Sequence, residues 1–484
     1  MTDHCNRDLP GVADLPMTTP SQPAETLAPP LGNQAKPISR ERMTLLFMVM
    51  LVTAAGNTAM QSVMPSIGTA LKVNDVWISL AYSWSALLWV IMAPFWAKRS
   101  DRRGRKAMMA LGLIGFIVSL ALCGLLLWLG LYGWLSATAT LLLFAAARSL
   151  YGGFGSAAPP AVQAYVASRT PRSQRTKAMA LIASSFGLGT VIGPALAPLL
   201  VFQPMGLVGP FMIFAAFGAL VLVALRLRLP GDDPTYAARG SIVSAPYSAS
   251  AASRYNSDDE STGSDEDEPT LAKPAPVSSE PAVAVPELKW LDSRLRPWLV
   301  AGLVGGHAQA MILGISGFLV LDRLGLRADP DAGTGPIGLV LMSGALATLL
   351  AQWGIIPGLK LGPRSSTLWG MALGVFGIAM LAFAQELHTI ALGFSVASLG
   401  FGLYRPGFTA GMSLAVTRAE QGQVSGVVAS VNGAAYIVGP ALGVWLYGRH
   451  ADLGFGIIAG LCVLVYVLGW RSLDSDEALA ARSD

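Results

Sequence analysis

The hexamer VIGPAL occupies Val191–Leu196, and IVGPAL occupies Ile437–Leu442, 246 positions later. At the same offset Ala183, Ser184 and Gly187 fall on Ala429, Ser430 and Gly433. An offset one residue longer brings Gly-Phe-Gly at Gly153–Gly155 onto Gly-Phe-Gly at Gly400–Gly402, and Pro159 onto Pro406. Apolar segments that recur at one long interval, each marked by a glycine-proline pair, read as a tandem duplication of about half the chain.

Composition says what kind of unit is duplicated. Of 484 residues, 53% are hydrophobic and only 13% charged, and mean hydropathy is +0.53. A soluble domain carries roughly 25% charged residues, so this chain cannot coat a water-facing surface of its size. Blocks such as Ala110–Gly130 run apolar without a break, long enough to cross a bilayer as a helix. The blocks lie near 44–66, 76–97, 107–130, 138–162, 178–201 and 208–228, then near 297–320, 335–356, 366–386, 388–412, 424–447 and 452–470. The expectation is an all-α membrane protein of twelve transmembrane helices, arranged as two six-helix parallel repeats around a central cavity. Both hexamers then sit in the fifth span of their repeat. The fifty-three glycines suit closely packed membrane helices.

Basic residues give the orientation. Lys98, Arg99, Arg102, Arg103, Arg105 and Lys106 follow span two, and Arg169, Arg172, Arg175 and Lys177 follow span four. Opposite loops hold only Lys72, Arg323, Arg327 and Arg449. Lys and Arg collect on the cytoplasmic side, so both termini are expected in the cytoplasm of a multi-pass protein of the inner (plasma) membrane. Residues 1–43 read as a disordered cytoplasmic tail without a signal peptide. Residues 44–228 form the first half and 297–470 the second. Between them, 229–296 carries the acid run Ser257–Pro269 and reads as a disordered cytoplasmic linker. Residues 471–484 read as a cytoplasmic tail. Cys5, Cys123 and Cys462 offer neither a disulfide framework nor a zinc spacing.

Several motifs carry more than topology. Ala97–Lys106 reads AKRSDRRGRK, with Asp101 inside a basic cluster and Gly104 at a position that suits a tight turn. Asp101 can accept from helix N-termini and pair with Arg102 or Arg105, making a latch that holds one conformation. The plainer reading is a loop that only supplies positive-inside charge. Span four carries Arg148 in RSLYGGFGSAA, and span five carries GLGTVIGPALAP at Gly187–Pro198. Gly189 and Gly193 lie four apart on one helix face, a small-xxx-small pattern for close helix approach. Pro194 breaks the helical bond ladder and invites a bend, and Gly439 and Pro440 repeat the arrangement in span eleven.

These residues resemble the major facilitator superfamily. Its loop between spans two and three reads roughly G-x-L-A-D-R-x-G-R-K, matched here by Asp101, Arg102, Gly104, Arg105 and Lys106, with Ala97 and Arg99 departing from it. The Arg148 stretch is similar to the family's R-x-x-Q-G-x-G-A-A element, with Tyr151 in place of glutamine. The span-five stretch is similar to the G-x-x-x-G-P-x-x-G-G motif of the drug/proton antiporter branch, with Ala197-Pro198 in place of the last two glycines. The resemblance implies a twelve-span secondary transporter and favours export, with protons as the coupling ion.

Polar groups within the spans are candidates for substrate or ion contact. Arg148 in span four and Arg405 in span ten are charges at a depth that penalises them, and they imply an anion, a partner or a cavity. Arg405 lies nearer the cytoplasmic end, where it can snorkel. Asn57 and Gln61 share a face of span one, Asn432 and Tyr436 repeat that spacing on span eleven, and His307 sits mid-span in seven. Gln309, two residues beyond His307, points to the opposite face. For Asn57, Gln61, Gln309 and Asn432, helix–helix hydrogen bonding is an equal reading, and Arg148 can serve helix packing by bonding Asn57. No Asp or Glu falls mid-span, so His307 is the one mid-membrane group that titrates near neutral pH.

The sequence therefore predicts a carrier and no enzyme. It contains no Walker or Rossmann glycine loop and no G-x-S-x-G element, so no cofactor, metal or nucleic acid is expected. The expected partners are a small-molecule substrate, protons and membrane lipid, for a monomer. The predicted activity is export of a small amphipathic or anionic compound, a drug or a metabolite, by alternating access. A dedicated siderophore or metabolite exporter, a metabolite importer and a non-transporting membrane sensor are the alternatives.

Overall fold

A computed structural model describes residues 38–170, 172–230, 292–416 and 420–483. The expected tail up to residue 37 and the acid run Ser257–Pro269 lie outside the described residues. Among the described residues the chain is helical and forms no strand. Among these residues, eleven helices are long and apolar enough to cross a membrane.

Polar residues at the ends set where several helices begin. The first, α1 (Arg40–Ala70), starts at Ser39, whose hydroxyl accepts from the Arg42 N–H. Asn74 does the same for α2 (Asp75–Arg103), and Ser136 for α4 (Ala137–Gly153). Such caps satisfy N–H groups that the helix itself cannot. Between α2 and α3 (Arg105–Leu131) stands Gly104 alone, at φ 86°. An L side chain rarely adopts that φ, so glycine permits two helices to meet head to tail with no loop.

The expected fourth span is not one helix. It comprises α4, a 3-10 turn at Gly155–Ala157 and α5 (Ala158–Arg169). Pro159 and Pro160 have no N–H to return to the Gly155 and Ser156 carbonyls, so the α ladder cannot run through this point. Neither piece alone is long enough to count among the eleven. After α6 (Arg172–Leu196) and α7 (Gly209–Arg228), the later helices are α8 (Arg296–Arg323), α9 (Thr334–Leu349), α10 (Ile356–Gly358), α11 (Pro363–Phe383), α12 (Leu387–Leu414), α13 (Gln421–Arg449), α14 (Ala451–Ser472) and α15 (Asp476–Ser483). A π turn at Leu350–Ile355 joins α9 to α10. Pro357 has no N–H for the Trp353 carbonyl, so the ladder widens there instead of closing normally.

Packing follows the glycines. Helix α6 lies on α1, and α13 lies on α8. A Cβ on Gly193 would collide with the Ala55 carbonyl and Thr58 Oγ1, and one on Gly189 would sit 2.6 Å from the Leu51 carbonyl. The Thr58 hydroxyl donates to the Gly189 carbonyl at 3.3 Å across this crossing. In the later helices, a Cβ on Gly439 would lie 2.6 Å from Ala310 Cβ, and one on Gly314 would lie 2.8 Å from Pro440. The two hexamers of the sequence thus occupy two crossings of the same kind. Helices α3 and α4 pair as α11 and α12 do, while α2 meets α13 and α6 meets α9 between the two groups.

The chain's last helix is anchored. Asp476 accepts from the backbone N–H of Arg364 at 2.7 Å and of Ser365 at 3.1 Å, capping the start of α11. Leu479 is fully buried beneath it. Within residues 471–484, which read as a cytoplasmic tail, α15 is thus docked on α11.

Candidate substrate cavity

Two adjoining cavities of about 570 and 630 Å³ lie between α1, α2 and α6 on one side and α8, α9, α12 and α13 on the other. Gln61 and Tyr436 line both. Most of the remaining wall is apolar, from Leu313, Leu341 and Phe394, with Thr58, Thr190, Gln309 and Ser398 as polar points in the second cavity. The amide nitrogen of Gln61 has no hydrogen-bond partner among the described residues. An apolar wall with a few placed polar groups is the usual form of a small-molecule site.

Arg405 stands one hydrogen bond behind this wall. It is 5% exposed and donates through one nitrogen to the Tyr436 hydroxyl at 3.0 Å and to Gln309 Oε1 at 3.4 Å. Its guanidinium carbon lies 5.4 Å from the Tyr436 ring centroid. Both of these hydrogen-bonding partners line a cavity, so the charge is held in the bundle and does not snorkel. Side chains of α8 and α13 take its hydrogen bonds instead.

Arg148 is fully buried and donates to Asn57 Oδ1 at 2.9 Å. The ring centroid of Tyr151 lies 4.6 Å from its guanidinium carbon. This cluster joins α4 to α1 in the interior of the first helix group, and neither Arg148 nor Asn57 belongs to the cavity lining. The two pairs singled out by spacing therefore divide. Gln61 faces the cavity while Asn57 faces Arg148, and Tyr436 faces the cavity while Asn432 does not line it. Residues four apart on a helix differ by about 40° in direction, enough to place one in the wall and the other behind it.

His307 is half-buried, with Nδ1 2.7 Å from the Leu303 carbonyl of its own helix. It is not in the cavity lining, whereas Gln309 is, as opposite faces require. The expected loop motif falls in the last turns of α2 and the start of α3; the side chains of Asp101 and Arg102 lie outside the described residues. Arg105 is buried. Lys106 donates to the Arg226 carbonyl at 3.1 Å and to that of Leu229, closing the end of α7. A cation at a helix C-terminus meets the negative end of the dipole.

One cluster went unread in the sequence. At the opposite end of the bundle, Arg327 forks onto both carboxylate oxygens of Asp75, at 2.9 and 2.7 Å. Its Nε donates to Asp322 at 2.7 Å, and it reaches Thr69 Oγ1 at 3.3 Å. Asp75 opens α2 and Arg327 follows α8, so this ion pair ties the first helix group to the second. The hydrogen bonds that Arg327 donates to Asp75 push its guanidinium above its ordinary range, against the desolvation that opposes them, with Asp322 adding to the rise. The available signal was an arginine on the side where topology disfavours one, facing the short loop that holds Asp75.

The sequence model of the Major Facilitator Superfamily matches residues 46–357. Multidrug resistance protein MdtG of Proteus mirabilis is 27% identical over 184 residues, which are 37% of this chain and 42% of that protein. The matched part thus spans less than half of that relative. Multidrug resistance protein 2 of Bacillus subtilis is 24% identical over 427 residues, 86% of this chain and 92% of that one. The Staphyloferrin B transporter of Staphylococcus aureus is 27% identical over 197 residues, covering 38% and 44%. Among solved structures, a D-xylose-proton symporter superposes with a TM-score of 0.65 at 13% identity, over 90% of this chain and 98% of that one. The human organic anion transporter MFSD10 superposes at 0.55 and 20% identity, over 89% and 100%. With a helical bundle, a cavity between its two helix groups and a family model that matches the first group and the start of the second, well over half of the chain, the chain belongs to the major facilitator superfamily.

Proposed function

We propose that the chain exports a small amphipathic or anionic compound by alternating access, with its two helix groups rocking about the central cavity. The observation that carries this reading is Arg405, a buried cation whose two hydrogen-bonding partners form part of the cavity wall. A guanidinium offers a planar fork to a carboxylate or phosphate, and Gln309 and Tyr436 are neutral groups that a substrate anion can displace. We count α4, the 3-10 turn and α5 as one interrupted crossing. That count gives two sets of six spans with both termini in the cytoplasm of the inner membrane.

Export rests on the span-five motif and on the multidrug names of the relatives. Proton coupling rests on resemblance to the antiporter branch, with His307 as the mid-span titratable group. A carboxylate-rich metabolite, such as a siderophore, is the second reading. It is favoured by the Arg405 cluster and by the staphyloferrin relative.

Inside-out membrane vesicles energised with an acid interior provide the test. The chain should accumulate carboxyfluorescein, an anionic probe, in a gradient-dependent manner, and Arg405→Gln should reduce that uptake at least about tenfold. Uptake of ethidium alone, unaffected by Arg405→Gln, would return the site to cationic drugs. Uptake of neither probe, or uptake indifferent to the gradient, sinks the exporter reading.

A further inference from the structure

A second recess lies far from the central cavity, on the outside of the bundle, where α8 begins and α14 ends. It holds about 590 Å³ of empty space. Its sides are Val300 and Val304 of α8 and Leu464 and Leu468 of α14, and its mouth is formed by Arg296 and Ser472. Val300, Leu464 and Leu468 are 37%, 44% and 42% exposed, and both helices are membrane-crossing. Lipid is therefore the medium that meets them. From the mouth at Arg296 and Ser472 to Val304 and Leu464, the recess runs eight residue steps along each helix, about 12 Å, close to the depth of one leaflet's hydrocarbon.

The charge at the mouth is unusual. Arg296 is the first residue of α8, where the helix dipole is positive and a cation is disfavoured. Two residues earlier, Arg294 is fully committed: it bonds Asp292 at 2.8 Å and Glu420 at 2.9 and 3.2 Å. Hydrogen bonds from Arg294 hold the Asp292 carboxyl below the usual carboxylate range. Among the described residues, no hydrogen bond or ion pair engages the Arg296 guanidinium. Arg471, in the last turn of α14, adds a second exposed cation at the same end. Trp470, 60% exposed and stacked on Tyr466, marks this level as the water–lipid boundary.

We propose that this recess binds one anionic phospholipid. Its phosphate lies against Arg296 and the positive end of α8, and one acyl chain lies along Val300, Val304, Leu464 and Leu468. A zwitterionic lipid fills the same apolar slot but brings its own cation to an end that already carries Arg296 and Arg471. The lipid anion supplies what the helix start lacks, and the protein supplies a slot that fixes one chain. Basic recesses between membrane helices are known headgroup sites on physical grounds alone.

The purified full chain can be titrated with phosphatidylglycerol or phosphatidylcholine of identical acyl chains and bound lipid counted by native mass spectrometry. Phosphatidylglycerol should be retained at least about fivefold more tightly, the value of one cation near a headgroup. Arg296→Gln should bring the two lipids level. Val304→Phe, which fills the slot and leaves the charge, should weaken retention of both. Equal retention by the parent protein overturns the proposal, as does an unchanged preference in Arg296→Gln. If Arg296→Gln does not fold, undiminished phosphatidylglycerol retention in Val304→Phe overturns it. Glycerol phosphate has the anion without the chains. If it displaces the lipid at equal concentration, the apolar slot plays no part and the proposal fails.

Discussion

Arg148 and Arg405 are both buried cations, yet their surroundings assign them different work. Arg148 is locked to Asn57 and stacked on Tyr151 inside one helix group. Losing a buried hydrogen bond to a charged group costs about 1.5–3 kcal/mol. Arg148→Gln should therefore lower the unfolding temperature in detergent markedly, by more than Arg405→Gln does. Arg405→Gln should spare stability and remove transport of an anionic probe, while Arg405→Lys keeps charge but loses the fork and should fall between. Equal thermal losses in the two glutamine variants would contradict this division of labour. The sequence named both arginines but favoured Arg148 for the cavity, because Arg405 lies nearer the cytoplasmic end; it is Arg405 that bonds cavity-lining residues. Spacing along a helix locates a side chain to within a face, and the choice between cavity wall and the layer behind it lies inside that error. Gln61 and Asn57 separate for the same reason, as do Tyr436 and Asn432.

Two helices make the next scale concrete. The crossing of α1 and α6 is set by Gly189 and Gly193, where a side chain would strike backbone carbonyls of α1. A backbone carbonyl cannot rotate aside, so Gly193→Val should prevent normal assembly and cut membrane levels of folded protein. At Gly153 nothing lies within 4 Å of an added Cβ, and Gly153→Ala should be tolerated; a failure of that variant to insert would show that the break after α4 needs glycine for its backbone. The π turn offers a second test. Gln352, 8% exposed, has no hydrogen-bond partner for either amide atom among the described residues. An unsatisfied buried polar group costs about 1–3 kcal/mol, so Gln352→Leu should raise the unfolding temperature. A fall would mean that the amide is satisfied in the membrane. The glycine-proline crossings were legible in the sequence because they depend on residue type and local spacing. The π turn was not, since it arises where Pro357 interrupts a ladder whose response is set by neighbouring helices.

Across the whole molecule, the Arg327–Asp75 fork joins two helix groups whose relative movement the proposed cycle requires. With Arg327 about a third exposed, such a bond is worth on the order of 1 kcal/mol, enough to bias a conformational equilibrium about fivefold. Asp75→Asn should raise the reactivity of Ser66→Cys, at a buried position near the end of α1, toward a polar thiol reagent by that order. Exchanging the charges, Asp75→Arg with Arg327→Asp, should return it toward the parental value. No change in either variant would make the fork ornamental. Orientation is tested separately: a periplasm-active reporter fused at Asp331 should be active and one at Asp265 silent. The family was readable from a duplicated hexamer and a degraded loop motif. The fork was not, because its members are some 250 residues apart and meet only once both helix groups have folded.

The docking of α15 has a practical consequence for anyone who follows this protein by fluorescence. Asp476 stabilises the first turn of α11 from the last of the described helices, and a cap of this kind is worth about 1 kcal/mol. A fluorescent partner attached after Asp484 hangs from that clasp, not from a loose thread. A tether too short to clear the clasp competes with that cap and pulls α15 from the start of α11.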